Sequence, residues 1–411
     1  MSKEVKSYLD LPTMERVKSS EIASSEFLPL FNGHIHTPYS FSAFRDIEQA
    51  FQMALEERIS ALGINDFYTT DGYDEFAGLA VKYKIFPLFN IEFMALLKYE
   101  QQAGIRVNDP VNPGRTYLSG KGLGFPVKMS DANRKKLENL QRESNLQTWQ
   151  MVDKLNRFLS EIHSDLHFEP SDIQRRLAKN LLRERHIATA VRMAVQENFT
   201  SKEEIRVFYN HLFQGKELKS SLENMASLEN EIRNNLLKAG GPAYVEEDEK
   251  AFLTLDEVTG LIIDAGGIPC YPVLLDDPKG NFTDFEKSWP QMADWLIEKK
   301  IFMIELIPGR NDFSILKEFV RFFDQRGFVI TFGSEHNTPQ LDPLTITCRG
   351  LVPLDKELLE INHRGISVIA AHQYLTASGR SGFPTGSFPS SSEIKELEQL
   401  GMKVISTFTQ A

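Results

Sequence analysis

Two histidines one residue apart close the segment FNGHIH, residues Phe31 to His36. On an extended strand, positions i and i+2 face the same way, so Asn32, His34 and His36 are expected on one face. Other apolar runs also end on residues that bind protons or cations: ALGIND on Asp66, FPLFNIE on Glu92, and VITFGSEH on Glu335 and His336. In barrels and open α/β sheets the carboxyl ends of the strands form the active-site face. Two imidazoles and three carboxylates converging there would repel one another or stay protonated without a cation, and a divalent metal resolves that conflict. Singly, each residue has a plainer use, since an Asp after a strand caps a helix and a His at a strand end satisfies backbone. Together, with the histidine pair first in order, they point to metal.

The elements that must position these groups alternate. FLPLFNGHIH reads as a strand, DIEQAFQMALEER as an amphipathic helix, ISALGIND as a strand, YDEFAGLAVKY as a helix and IFPLFNIEF as a third strand. From about Ser130 to Glu249 the strand signal gives way to long polar helical text, broken near Pro170 and at AGGPAY. Alternation then resumes through LTLDEVTGLIIDAGG, IPCYPVLL, FEKSWPQMADWLIEKK, IFMIELI, FSILKEFVRFFDQRG and FVITFG. Such alternation predicts a parallel sheet or barrel, here interrupted by helices. Near the end, KVISTF reads as strand-like.

The chain has 411 residues, 41% hydrophobic and 25% charged, which suits a folded globular protein rather than a disordered one. Its net charge of -11 disfavours long nucleic acid as a partner, while small nucleotides stay open. The two cysteines, Cys270 and Cys348, form no metal or disulfide spacing, no apolar leader opens the chain, and no run is long enough to span a membrane. A cytoplasmic address is the expectation, with oligomeric state left open.

The motifs resemble the PHP (polymerase and histidinol phosphatase) family. HIHTPYS is similar to its opening HxH motif, GINDFYTTDGY to its Asp-His motif with Phe67 in place of the histidine, and FNIEF to its Glu motif. The helical text, with RERHIATAV and GGPAYV, resembles the branch acting on nucleoside bisphosphates and short oligonucleotides, in which a helical domain interrupts the barrel. There Tyr271 in CYP stands where that branch has histidine, and GSEHN resembles its Gly-Ser-Asp-x-His with Glu335 at the Asp position and Asn337 at the His position. The resemblance implies a distorted (β/α)7-type, TIM-like barrel formed by 28–129 and 250–411, an α-helical insertion at 130–249 and an arm at 1–27.

It also implies a metal-dependent phosphoesterase. His34, His36, Glu92 and Glu335 would hold one ion of a family that binds up to three, with Mn, Zn and Fe all allowed by mixed nitrogen and oxygen ligands. A single ion still makes its water a competent nucleophile, and Asp66, with His336, would then serve proton transfer. Phosphoryl charge would be met by Arg183, Arg185 and His186 from the insertion and by Arg310. Lys121 is a further anion candidate, although GRTYLSGKG is not a phosphate-binding loop. Tyr271, like Phe67, offers a stacking face to a small-molecule substrate. The missing ligands keep two other readings open: a binder without turnover, and a mononuclear enzyme acting on a non-phosphate substrate.

Overall fold

The computed structural model describes residues 14–19 and 28–410, and the rest of the expected arm at 1–27 lies outside the described residues. Seven strands pair in chain order: β1 (Leu30–Ile35), β2 (Ile59–Phe67), β3 (Phe86–Leu96), β4 (Arg115–Lys121), β5 (Ile268–Val273), β6 (Met303–Leu306) and β7 (Val329–Phe332). All neighbours are parallel except β4, which runs antiparallel to both β3 and β5. Beyond β7 the chain returns to β1, where Ile35 bridges Glu335 and the His36 N–H donates to the Glu335 carbonyl at 2.8 Å. The result is a distorted TIM-like barrel with one reversed strand.

A short helix α1 (Met14–Ser19) precedes the barrel, α2 (Ile47–Glu56) and α3 (Tyr73–Tyr83) follow β1 and β2, and α4 (Lys98–Gln102) follows β3. Between β4 and β5 come α5 (Asp131–Glu161), α6 (Pro170–Leu177), α7 (Glu184–Asn198), α8 (Lys202–Leu212), α9 (Met225–Leu236) and α10 (Leu255–Asp264). After β5 and β6 lie α11 (Trp289–Glu298) and α12 (Phe313–Asp324), and α13 (Lys356–Ala377) and α14 (Ser391–Thr409) end the chain. The outer helices follow the amphipathic rule: α12 buries Leu316, Phe319, Val320 and Phe323 against the barrel, and Asp312 caps it by accepting from the backbone N–H of Ser314 and Ile315. Helix α5 spans two cores. Its first half adds Leu137 and Leu140 to the barrel core, and its second half packs Val152 and Leu155 against Val191 of α7 and Ile232 of α9. None of the described helices is long and apolar enough to cross a membrane.

Two segments differ from the sequence expectation. RTYLSGK, passed over as a strand, is β4, because the polar residues Ser119 and Lys121 face the barrel interior and break the apolar run that marks a buried strand. KVISTF belongs to α14, where Val404 and Ile405 join Leu397 and Gly401 on one helical stripe, and a Ser390–Glu393 capping box starts the helix.

Helix α13 seals the amino-terminal end of the barrel. Its Ile366, Ile369 and Ala370 pack on Phe31, Ala61, Phe86, Ile268, Met303 and Val329 from six strands. Asn362 accepts from the Phe332 N–H and donates to the Phe31 carbonyl, and Gln373 does the same for Phe89 and Pro87. Contact is tightest at glycines: a Cβ on Gly365 would lie 2.0 Å from the Ile330 carbonyl oxygen, and one on Gly401 only 1.7 Å from that of Ser367. Gly401→Ala should therefore destabilise the protein by about 1–3 kcal/mol through overpacking, opposite in sign to its gain in helix propensity. A fall in the urea unfolding midpoint would verify this, and a rise would refute it.

His372 on the same helix accepts the Phe383 N–H at Nδ1, 2.9 Å, and donates from Nε2 to the Gly266 carbonyl, 2.7 Å. Burial pushes its pKa down to about 4, against the favourable Gly266 bond. The folded value lies below the unfolded one, so its stabilising contribution is present above about pH 6.5 and is lost as the pH falls toward 4. His372→Gln should flatten the drop in unfolding free energy between about pH 7 and pH 4 relative to the unmodified chain. Parallel slopes in urea melts would contradict it.

Candidate metal centre

The histidine pair owes its direction to a bulge. From Asn32 to Ile35 β1 advances three residues while β2 advances two, from Leu62 to Ile64. The extra residue breaks the alternation, so Asn32 leaves the face that carries His34 and His36. Its amide donates instead to Ser334 Oγ and the Leu344 carbonyl, while its oxygen accepts the His34 N–H. Gly333 allows the strands to meet here, since a Cβ would lie 2.2 Å from that of His34.

His34 Nε2 and His36 Nε2 face each other at 3.2 Å, and Glu92 Oε2 lies 3.6 Å from His36 Nε2. One ligand atom from each of the three falls within 4.8 Å of the others. Both rings have partners behind them. His34 Nδ1 donates to Glu305 Oε2 at 3.0 Å, and His36 Nδ1 lies 3.2 Å from Ser40 Oγ, which donates to Asp66 Oδ1 at 2.6 Å. These contacts place the ring protons on Nδ1 and turn two Nε2 lone pairs toward one point.

The electrostatics fit a cation as well. Burial, then His34, pushes the His36 pKa well down, and burial, with Glu335 and Glu305 nearby, pushes that of Glu92 well up. Without an ion these shifts favour a neutral His36 ring and a protonated Glu92, and a divalent cation would release that proton. The donor set of two imidazoles and a carboxylate suits such an ion.

Glu335 lines the same cavity but lies outside the three-residue group and pairs with Arg310. Glu335 and His336 both have left-handed backbones, φ 67° and 54°, a strained arrangement at the barrel seam. Asp66 does not reach the cavity. As the residue between inward-facing Asn65 and Phe67 it points outward, and its carboxylate accepts from the Thr37 N–H, the Thr37 hydroxyl and Ser40 Oγ. Burial pushes it up to about 7 despite those donors. It secures the loop behind His36 and lies away from any cavity water. His336 is likewise turned away: it stacks on Phe44, with Nδ1 on Ser334 Oγ and Nε2 on the Asp342 carbonyl.

Of the expected anion contacts, Arg183, Arg185 and Arg310 line the cavity, joined by Arg233, which the sequence reading did not single out. His186 caps α7, accepting the Arg183 N–H at Nδ1. Tyr271 faces outward from β5, its hydroxyl on Glu286 and its ring near Phe285 and Trp295, so it offers no face to the cavity. Helix α5 sets the arginine segment: Asn145 accepts the Leu182 N–H, Thr148 donates to the Leu182 carbonyl, and Ser144 accepts from Arg183. Arg183 lies 4.4 Å over the Phe67 ring and Arg185 4.9 Å over Phe41. Phe67 thus holds a guanidinium on its face rather than a base or sugar.

Glu305 went unnoticed in the sequence, although one acid inside the apolar run IFMIELI was a usable signal. Lys121 was read as an anion contact, but it is fully buried, absent from the cavity lining and paired with Glu305.

No protein-family profile and no curated protein matches the chain. Among solved structures it is similar to one described as a "putative metal-dependent phosphoesterase" from Bifidobacterium adolescentis ATCC 15703. The two share 16% identity with a TM-score of 0.51, over 84% of this chain and 99% of that one. An amidohydrolase from Chromobacterium violaceum, solved with sulfate and no metal, aligns at 17% identity and a TM-score of 0.47, over 81% and 96%. At such identities the first likeness speaks for the fold, and function has to come from the residues themselves.

Protein purified without chelators or metal-affinity resin should carry about one equivalent of a transition metal. His36→Asn should remove it while leaving the far-ultraviolet circular dichroism unchanged. Elemental analysis giving close to three equivalents would contradict the single-ion assignment.

Proposed function

We propose that this chain is a metal-dependent hydrolase that cleaves a phosphoester in a small molecule, with His34, His36 and Glu92 holding the ion. One observation carries the phosphate part of the reading. Arg183 and Arg185 line the cavity of the histidine pair, and neither forms an ion pair with a carboxylate among the described residues. Arg233 and Arg310, by contrast, are engaged by Glu184 and Glu335. Arg185 is half-buried, and burial, with Arg233 beside it, pushes its pKa down to about 10, so it keeps its charge at neutral pH. A half-buried guanidinium without a counter-charge favours an anion, and its planar fork matches phosphate oxygens.

His34, His36 and Glu92 would hold the ion, which would supply Lewis acidity and lower the pKa of water. The residues around it divide the other tasks. Arg183 and Arg185 neutralise phosphoryl oxygens, and Phe67 and Phe41 hold the two guanidinium planes. Ser40 with Asp66, and Glu305, keep the imidazoles aimed. A cavity of about 280 Å³ favours a small phosphorylated metabolite or nucleotide over a polymer.

Arg183→Gln and Arg185→Gln should each lower kcat/KM on a phosphomonoester probe by about 10- to 100-fold while metal content stays unchanged. Arg175→Gln, on the exposed face of α6, is the control. Turnover of carboxylic esters but not phosphoesters by the metal-loaded protein would sink the phosphate assignment. Binding of inorganic phosphate with no turnover of any ester would favour the non-catalytic reading.

A further inference from the structure

Beneath the histidine pair lies a buried charge that the proposed chemistry does not use. Lys121, 0% exposed, donates from Nζ to Glu305 Oε2 at 2.6 Å and to Asn65 Oδ1 at 3.1 Å. Glu305 Oε2 is the same oxygen that accepts from His34 Nδ1, while Oε1 accepts from Ser119 Oγ. Asn65 Nδ2 in turn lies 3.0 Å from His34 Nε2. Five buried side chains from β1, β2, β4 and β6 therefore form one hydrogen-bonded unit, with an ammonium at its base and an imidazole at its top.

We propose that Lys121 and Glu305 are positioning residues of the metal centre: their ion pair holds a fixed acceptor under His34 Nδ1, so the Nε2 lone pair is presented to the cavity before any ion arrives. The inference rests on His34, His36 and Glu92 being the ion-binding group. A neutral imidazole has two tautomers, and only an acceptor at Nδ1 selects the one whose Nε2 can bind a cation. Glu305 supplies that acceptor from β6, which only β7 separates from β1 around the seam. A buried carboxylate needs a counter-charge, and Lys121 supplies it from the reversed strand, where its side chain extends inward without entering the cavity. The ammonium also orients Asn65. With the amide oxygen on Nζ, the amide NH2 must face the imidazole. The acceptor at Nδ1 is thus supplied by the protein, with the Asn65 amide nitrogen alongside the ring at 3.0 Å from Nε2 and 3.3 Å from Nδ1, which is the behaviour of an outer shell that tunes metal affinity.

Four proteins test this: the unmodified chain, Glu305→Gln, Lys121→Met and the double variant, each labelled with ¹⁵N-histidine and titrated with zinc. The metal-free unmodified chain should show His34 in its Nδ1–H form. Glu305→Gln and the double variant should lose that preference and bind zinc about 10- to 100-fold more weakly. The double variant leaves no unpaired charge in the barrel, so cooperative unfolding with weakened binding separates positioning from collapse of the fold. A His34 found in the Nε2–H form in the unmodified chain overturns the proposal whatever the variants do. So does a folded double variant with unchanged zinc affinity and unchanged ring signals. Failure of the unmodified chain to bind zinc or manganese overturns the metal assignment itself, and the positioning role with it.

Discussion

A carboxylate inside a barrel must be neutralised where it stands, and the arrangement at the mouth follows from how Glu305 is neutralised. Burial pushes its pKa up, but Lys121 and His34 more than reverse that, holding it well below the usual carboxylate range. The pair is sealed from below. Apolar residues of six strands and helix α13 fill the amino-terminal end, and Lys121 is 0% exposed. In such surroundings each hydrogen bond is electrostatically stronger than in water, and an unmatched one is correspondingly costly. That asymmetry explains why Ser119 and Asn65 join the unit: the second carboxylate oxygen and a second ammonium proton both find partners.

Strand alternation decides what could be read in advance. His34, His36 and Glu92 were legible because each ends an apolar run and each faces inward. Asp66 ends such a run too, but it is one residue out of phase with Asn65 and Phe67, and the same rule that brings Glu92 in sends Asp66 out. Asn32 would have shared the histidine face without the bulge, whose one signal in FNGHIH is Gly33 inside the strand. Lys121 and Ser119 were obscured for a different reason. A strand whose inward residues are polar lacks the apolar signature of a buried strand, and only the ring of neighbouring strands reveals it. The barrel itself was legible from alternating strands and helices, whereas the reversed direction of β4 was not, because direction is a property of the connections.

The helical insertion brings charge of the opposite kind. Its arginines reach the cavity from the segment that α5 anchors, and the two with no carboxylate partner lie on aromatic rings. Phe67 stands beside Glu92 in the β2–β3 register, so a guanidinium is held next to His34, His36 and Glu92. A cation supplied by the protein is fixed in place and always charged, whereas a cation supplied by a metal depends on its availability. Under the proposed function the two guanidinium groups meet phosphoryl charge that further ions would otherwise have to neutralise.

The seam between β1 and the chain after β7 ties the site to the fold. Backbone bonds from His36 to Glu335, and from Glu335 and Ser334 to His34, close the ring with the residues that line the cavity. Two consecutive left-handed residues, Glu335 and His336, bear the turn that makes this possible, and His336 is braced by Phe44, Ser334 and the Asp342 carbonyl. Strain of this kind persists only where the surroundings over-determine it. Here they do so with the same hydrogen bonds that fix the height of His34 above Glu305. Closing the barrel and aiming the imidazole are therefore one geometric condition, and a change that relaxed the seam would move the ligand and its acceptor apart together.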